Sequence, residues 1–64
     1  MGHSMKQLAV VRFSADGTGG RTLASRGGAV QGETLQAWLD QGFDIEAIAD
    51  AGTSLTVVFE RKLK

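Results

Sequence analysis

The fold is decided by residues 32–50, which read GETLQAWLDQGFDIEAIAD. Apolar residues first recur at helical spacing, because Leu35, Trp38 and Leu39 stand at positions i, i+3 and i+4. One stripe of a short helix is therefore apolar. The pattern predicts a helix over residues 32–41 and, after the next glycine, a strand.

Two residues indicate where this helix begins and ends. Glu33 is expected in its first turn, where the helix dipole favours a negative charge. Gly42 follows the last turn, where a glycine adopts the left-handed conformation without steric cost. Both signals agree with one helix that leads directly into the following strand.

The strand predicted over residues 43–50 alternates apolar and polar side chains. The residues expected to face the helix are Phe43, Ile45 and Ala47, and those expected to face outward are Asp44 and Glu46. Ile48 breaks the alternation. A β-bulge there, or a second face that is also covered, would explain the break.

Three further segments complete the sheet. Residues 6–14 predict a central strand, and residues 55–60 predict a last strand that forms a hairpin with the strand before it. Residues 21–25 are expected to form a short extra strand, paired with the first through a turn at Asp16 and Gly17. We therefore expect an α+β domain with a three- to four-stranded antiparallel sheet and one short helix packed on one face.

Chain length and residue types limit the function. The 64 residues allow one domain, predicted over residues 5–64 with a glycine-rich loop over residues 15–31, whereas residues 1–4 are interpreted as a remnant of an expression vector. The chain has no cysteine, and its single histidine, His3, falls within that remnant. Because most catalytic arrangements need one of these residue types, we expect a non-enzymatic protein without a cofactor or a metal.

One short helix covers only one face of such a sheet, which leaves apolar residues on the other face. The residues expected on the uncovered side are Leu8, Val10, Ile48 and Val58. We expect them to meet a second copy of the chain, most simply in a twofold homodimer. In the alternative, residues of the glycine-rich loop fold over that face.

The helix, the glycine and the hairpin together resemble the bacterial and phage domain-of-unknown-function family 4177. That family is marked by a helix ending in Leu-x-x-x-Gly-Trp-Glu-Leu and by a hairpin whose second strand closes with a basic residue and a leucine. Here Gly42, Phe43, Asp44 and Ile45 stand at the last four motif positions, and Arg61 stands at the basic one. Phenylalanine replaces the family's tryptophan, and the glycine-rich segment has no counterpart. The resemblance covers about the last thirty residues, together with a first strand that fits loosely, and it implies the fold but no activity.

A glycine-rich loop next to basic residues is the second candidate site. Backbone amides in such a loop bind a phosphate or another small anion, and arginines add positive charge. The candidate residues are Arg12, Gly19, Gly20, Arg21, Arg26 and Arg61. The segment lacks the Lys-Ser/Thr pair of a P-loop and the spacing of a dinucleotide fingerprint. A plain hairpin loop, with arginines that protect exposed strand edges, is the alternative.

Other partners are weaker candidates. The formal net charge of +0 gives no overall attraction to nucleic acid, and the aromatic residues near the arginines, Phe13 and Phe59, are expected in the core. Asp44 and Glu46 point the same way but offer fewer oxygens than a cation needs. Trp38 is either a partner anchor or, given its helical spacing, a core residue. The apolar runs are strand-sized, so we expect no membrane span and a cytoplasmic location.

The sequence thus favours a small interaction or assembly module that self-associates through its β-sheet, with a different protein as a further partner. The alternative is a binder of a small anionic ligand or nucleic acid, through the glycine-rich loop and its arginines.

Overall fold

The computed structural model describes residues 6–27 and 32–62. They form, in chain order, β1 (Lys6–Ser14), β2 (Arg21–Arg26), α1 (Leu35–Asp40), β3 (Asp44–Asp50) and β4 (Ser54–Lys62). The strands make one sheet in the order β2-β1-β4-β3, and every neighbouring pair is antiparallel. The predicted α+β class and the antiparallel sheet are confirmed.

β1 and β4 form the centre of the sheet, and their register runs over the whole of β1 without a shift. Their β-branched and aromatic side chains favour this pairing because they pack well on a pleated surface. Residues directly opposite each other share a face, so the register assigns each side chain to one of two faces. We call the face that carries Val11 and Val57, which lie opposite each other, the inner face. The opposite face is the outer face.

The hairpin between β1 and β2 closes through the predicted Asp-Gly turn. Gly17 has a φ of +81° and donates its backbone N–H to the carbonyl of Ser14 at 2.9 Å. One carboxylate oxygen of Asp16 accepts from the N–H and the hydroxyl of Thr18, at 3.1 and 2.7 Å. These hydrogen bonds, the hydroxyl's first, hold the pKa of Asp16 below its ordinary value because they stabilise the charged form. The predicted extra strand is confirmed, and it ends one residue later than expected, at Arg26.

The helix is shorter than the sequence predicts. Thr34 caps its N-terminus, with a hydroxyl that accepts from the N–H of Ala37 at 3.1 Å. Glu33 precedes this cap and therefore lies outside the first turn, contrary to the prediction. Gly42 closes the helix as predicted, because it has a φ of +89° and donates its N–H to the carbonyl of Leu39 at 3.0 Å.

The irregularity predicted in β3 is a β-bulge that falls earlier than Ile48. Ile45 lies opposite Phe59 and Ala47 lies opposite Val58, so the residue between them is left without a register partner. Such an extra residue reverses the facing of the residues that follow it. Ala47 therefore lies on the outer face, and Ile45 lies on the inner face, which corrects the prediction that the two residues share a face.

The inner face holds the core. Its buried apolar residues are Ala9, Val11, Phe13, Trp38, Phe43, Val57 and Phe59. The ring of Trp38 stacks on Phe59 with centroids 5.0 Å apart, and its Nε1 donates to the carbonyl of Gly32 at 3.0 Å. Phe13 meets Phe59 edge-on at 6.1 Å. Trp38 is thus a core residue. Of the two sequence interpretations, a partner anchor or a core residue, the structure supports the second.

The turn between β1 and β2 packs toward the inner face. Gly20 donates its N–H to the carbonyl of Glu33 at 2.7 Å. A Cβ on Gly20 would come within 2.8 Å of the Phe13 ring, closer than real contacts allow. The described part of the loop predicted over residues 15–31 therefore either extends the sheet as β2 or packs on the inner side. Residues 28–31 lie outside the described residues.

Candidate functional site

The outer face of the sheet is the candidate site. Its side chains, placed by register, form three rows that cross β2, β1, β4 and β3 in that order. The rows are Arg26, Leu8, Glu60 and Asp44; then Ala24, Val10, Val58 and Ala47; then Arg21, Arg12, Thr56 and Ala49. Aliphatic residues thus occupy the middle row, and charged residues stand at three of the four corners.

The middle of this face is an apolar centre, defined by Leu8, Val10 and Val58. Val10 and Val58 lie opposite each other, and all three side chains are half-buried in the single chain. A groove of about 120 Å³ runs beside them between β1 and β2. It is lined by Leu8, Ala9, Val10, Ala24, Ser25 and Arg26. Three of the four residues predicted for an oligomer interface therefore lie together.

The fourth predicted interface residue, Ile48, lies elsewhere. It pairs with Val57 and so belongs to the inner-face side, where it is 53% exposed. Ile45 lies on the same side and is 42% exposed. The bulge at Glu46 shifts the facing of Ile48 by one residue, which the alternating pattern does not show.

The charges differ between the two halves of the outer face. The half formed by β2 and β1 carries Lys6, Arg12, Arg21 and Arg26, and the half formed by β4 and β3 carries Asp44, Glu60 and Lys62. The Nζ of Lys6 lies 3.3 Å from a carboxylate oxygen of Glu60. Arg12 lies directly opposite Arg21, and like charges in that position repel. Within the described residues, neither guanidinium has a hydrogen bond or an ion pair.

Arg61, a predicted ligand-binding residue, is used inside the fold. It lies opposite Gln7 on the inner face, and its Nε and Nη2 both donate to the Gln7 Oε1. Its Nη1 donates to the carbonyl of Gln41 at 2.6 Å, and its guanidinium carbon lies 4.4 Å from the centroid of the Phe43 ring. These contacts join β4 to the end of α1. The structure therefore does not bring Arg61 together with the arginines of the outer face.

The predicted glycines are also separated from the arginine side chains. The N–H of Gly20 already donates to the carbonyl of Glu33, and Gly19 has a φ of +66° that serves the turn. An opening of about 340 Å³ beside them is lined by Gly20, Thr22, Gly32 and Glu33. The charged side chain of this lining is the carboxylate of Glu33, which repels an anion. Arg21 belongs by register to the outer face. The glycines and the arginines thus form no common anion site.

The remaining sequence candidates occupy separate places. Asp44 lies opposite Glu60 on the outer face, whereas Glu46 lies in the bulge. In the part of the chain that the structure describes, no group of His, Cys, Asp and Glu is placed to hold a metal ion. In that same part, no helix has the length and apolar character needed to cross a membrane. Phe13 and Phe59 are buried, so neither presents a ring for base stacking.

Comparison of the chain with family models, with curated proteins and with solved structures gives no match. The resemblance to domain-of-unknown-function family 4177 therefore stays a prediction. The functional interpretation depends on the geometry of the outer face.

Proposed function

We propose that the chain is a non-enzymatic α+β interaction module, in which α1 covers the inner face and the outer face binds a second copy of the chain in a twofold homodimer. The stacking of Trp38 on Phe59 supports the placement of α1 over the inner face. Because the aromatic residues are buried on that side, we assign partner binding to the outer face.

The observation that supports self-association is the apolar centre. Leu8, Val10 and Val58 each keep part of their surface exposed, and the contacts of α1 described above lie on the opposite side of the sheet. Burying an exposed Val or Leu side chain fully stabilises by about 1.5–3 kcal/mol, and the single chain already gains the larger part of this because the three side chains are only partly exposed. A twofold partner would bury the remainder twice, once on each copy.

The size of the outer face sets the expected affinity. Its four strands lie about 4.8 Å apart and rise about 3.4 Å per residue, so strands of six to nine residues give a face of roughly 500 Å². Two such faces bury roughly 1,000 Å², the lower limit of specific interfaces. We therefore expect a reversible dimer with a dissociation constant in the micromolar range.

Pairing of sheet edges is the competing mode of assembly, and the charges oppose it. Edge strand β2 carries Arg21 and Arg26, and edge strand β3 carries Asp44, Glu46 and Asp50. Pairing of either edge with its own copy would place like charges close together. Pairing of β2 with β3 of another copy would leave both outer edges free and would continue into a filament. The charges therefore favour the face over the edges for a closed dimer.

Sedimentation equilibrium of the parent and of Val10→Glu and Val58→Glu tests the proposal. The parent should show twice the chain mass at high micromolar concentration and half of that after dilution. Each glutamate places a carboxylate in the interface twice, which costs several kcal/mol per ion and should raise the dissociation constant at least about a hundredfold.

Two further variants make the result decisive. Ile48→Glu is the matched control, because Ile48 is an exposed strand residue on the other side of the sheet, and its dissociation constant should equal that of the parent. Val58→Thr keeps the β-branched shape if the glutamates disturb folding, and it should weaken the dimer by a smaller amount. A parent that stays monomeric, or equal effects of Ile48→Glu and Val58→Glu, would refute the proposal.

Binding of a small anion is the second candidate function, and one observation favours it. Arg12 and Arg21 lie opposite each other without a counter-charge, and an anion between them would remove their repulsion. Inorganic phosphate should then cause saturable amide shifts at these two residues in NMR spectra, and Arg21→Met should abolish them. Equal shifts with chloride at the same ionic strength would exclude this function.

A further inference from the structure

We propose that the twofold axis of this homodimer runs parallel to the strands, between β1 and β4, so that the basic strand β2 of one copy lies over the acidic strand β3 of the other. This inference rests on the proposed homodimer and specifies how its two outer faces meet.

When two copies of a sheet pack face to face with their strands aligned, the twofold axis lies in the interface and has two possible directions. When the axis is parallel to the strands, the strand order is reversed and the rows are kept, so β2 lies over the partner's β3 and β1 over the partner's β4. When the axis crosses the strands, each strand lies over its own copy and the order of the rows is reversed.

The charges of the outer face distinguish these arrangements. With the axis parallel to the strands, the first row places Arg26 over the partner's Asp44. With the axis across the strands, Arg26 lies over the partner's Arg21. Packed sheets lie about 10 Å apart, a gap that an arginine and an aspartate side chain can span together. The first arrangement therefore makes two ion pairs per dimer at the corners, where the second makes two repulsive contacts. The first arrangement also places Lys6 over the partner's Lys62 at the end of the face, where water and salt screen the two charges.

The apolar centre fits the same arrangement. Val10 and Val58 lie opposite each other in the middle row, on either side of the proposed axis. Val10 of one copy then packs on the partner's Val58, and Glu60 keeps its ion pair with Lys6 of its own chain. Arg12 and Arg21 meet no acidic residue of the partner and stay at the wet rim. Moderate salt should therefore change the dissociation constant little, because it screens the two ion pairs as well as these remaining like charges.

A charge-swap series measured by sedimentation equilibrium tests the axis. Arg26→Asp and Asp44→Arg should each raise the dissociation constant at least about tenfold at low salt, because each turns two ion pairs into two repulsions. The double variant Arg26→Asp/Asp44→Arg should return to within about threefold of the parent, since it restores the pairs with exchanged signs. Arg21→Asp, with the same change of charge on the same strand, is the control and should not weaken the dimer.

The outcomes separate this inference from the proposed function. Tighter association of Arg26→Asp would indicate the axis across the strands, and no effect of Arg26→Asp would indicate crossed sheets; either result overturns the inference. If Val58→Glu dissociates the dimer in those cases, the outer face remains the interface. A monomeric parent would instead overturn the proposed function itself.

Discussion

Replacement of Arg61 by methionine should destabilise the fold by about 2–4 kcal/mol, because the arginine connects three parts of the inner side. Loss of hydrogen bonds from a charged group costs about 1.5–3 kcal/mol. The Oε1 of Gln7, a residue that is 5% exposed, would lose both donors of Arg61. The stacking of the guanidinium on Phe43 adds about 0.5–1 kcal/mol. These contributions share atoms and therefore do not simply add. Methionine retains part of the packing of the aliphatic stem.

Urea unfolding followed by the fluorescence of Trp38, the single tryptophan, measures this loss. The protein concentration should be low enough to dissociate a dimer, because association adds to the apparent stability. A domain of this size has only about 3–5 kcal/mol of stability, so the variant should lose about half of it or more.

Two control variants separate the contacts of Arg61 from its charge. Arg12→Met removes an exposed arginine that has no hydrogen bond or ion pair within the described residues, and should change the free energy of unfolding by less than about 0.5 kcal/mol. Gln7→Met/Arg61→Met should be more stable than Arg61→Met alone, since it leaves no buried amide without a partner. An Arg61→Met variant as stable as Arg12→Met would refute the assigned role.

Two further variants test the turn between β1 and β2. Gly20→Ala should destabilise by about 1–3 kcal/mol in urea unfolding, because its Cβ would meet the carbonyl oxygen of Gly32 at 2.7 Å and the Phe13 ring at 2.8 Å. A change below about 0.5 kcal/mol would contradict that packing. Thr18→Val should raise the pKa of Asp16 toward its ordinary value in an NMR titration, and an unchanged midpoint would contradict the hydrogen bonds. Because the folded-state pKa of Asp16 is lowered, its ionised carboxylate stabilises the fold at pH values above the pKa of the unfolded state. This stabilisation is lost as the pH falls through the folded-state pKa. The Thr18→Val variant should therefore lose less stability than the parent on acidification.

The sequence predicted most of the element types because each has a local signal. The change of period at Gly42, where the same glycine ends the helix, and the Asp-Gly turn both act over a few residues, and the structure contains each of them. The predicted start of the helix is too early because it relies on Glu33, whereas the neighbouring Thr34 supplies the hydroxyl that caps the helix. A capping threonine followed by an apolar stripe was the local signal that could have corrected the boundary.

The candidate site was predicted less completely because two of its determinants are not local. The bulge at Glu46 depends on how β3 registers against β4, and it moves Ile48 from the outer face to the inner side. Arg61 is charged and near the end of the chain, which suggests exposure, yet its acceptor Gln7 lies 54 positions away. Only the pairing of β1 with β4 brings these two residues together.

Intermolecular NOEs in a mixed sample of labelled and unlabelled chains give the most direct test of the outer face as a dimer interface. At a concentration where sedimentation shows twice the chain mass, methyl groups of Val10 should show NOEs to the partner's Val58. Isotope filtering excludes the contact between the same two residues within one chain. Intermolecular NOEs confined to Ile45 and Ile48 would place the interface on the other side of the sheet and would contradict the account.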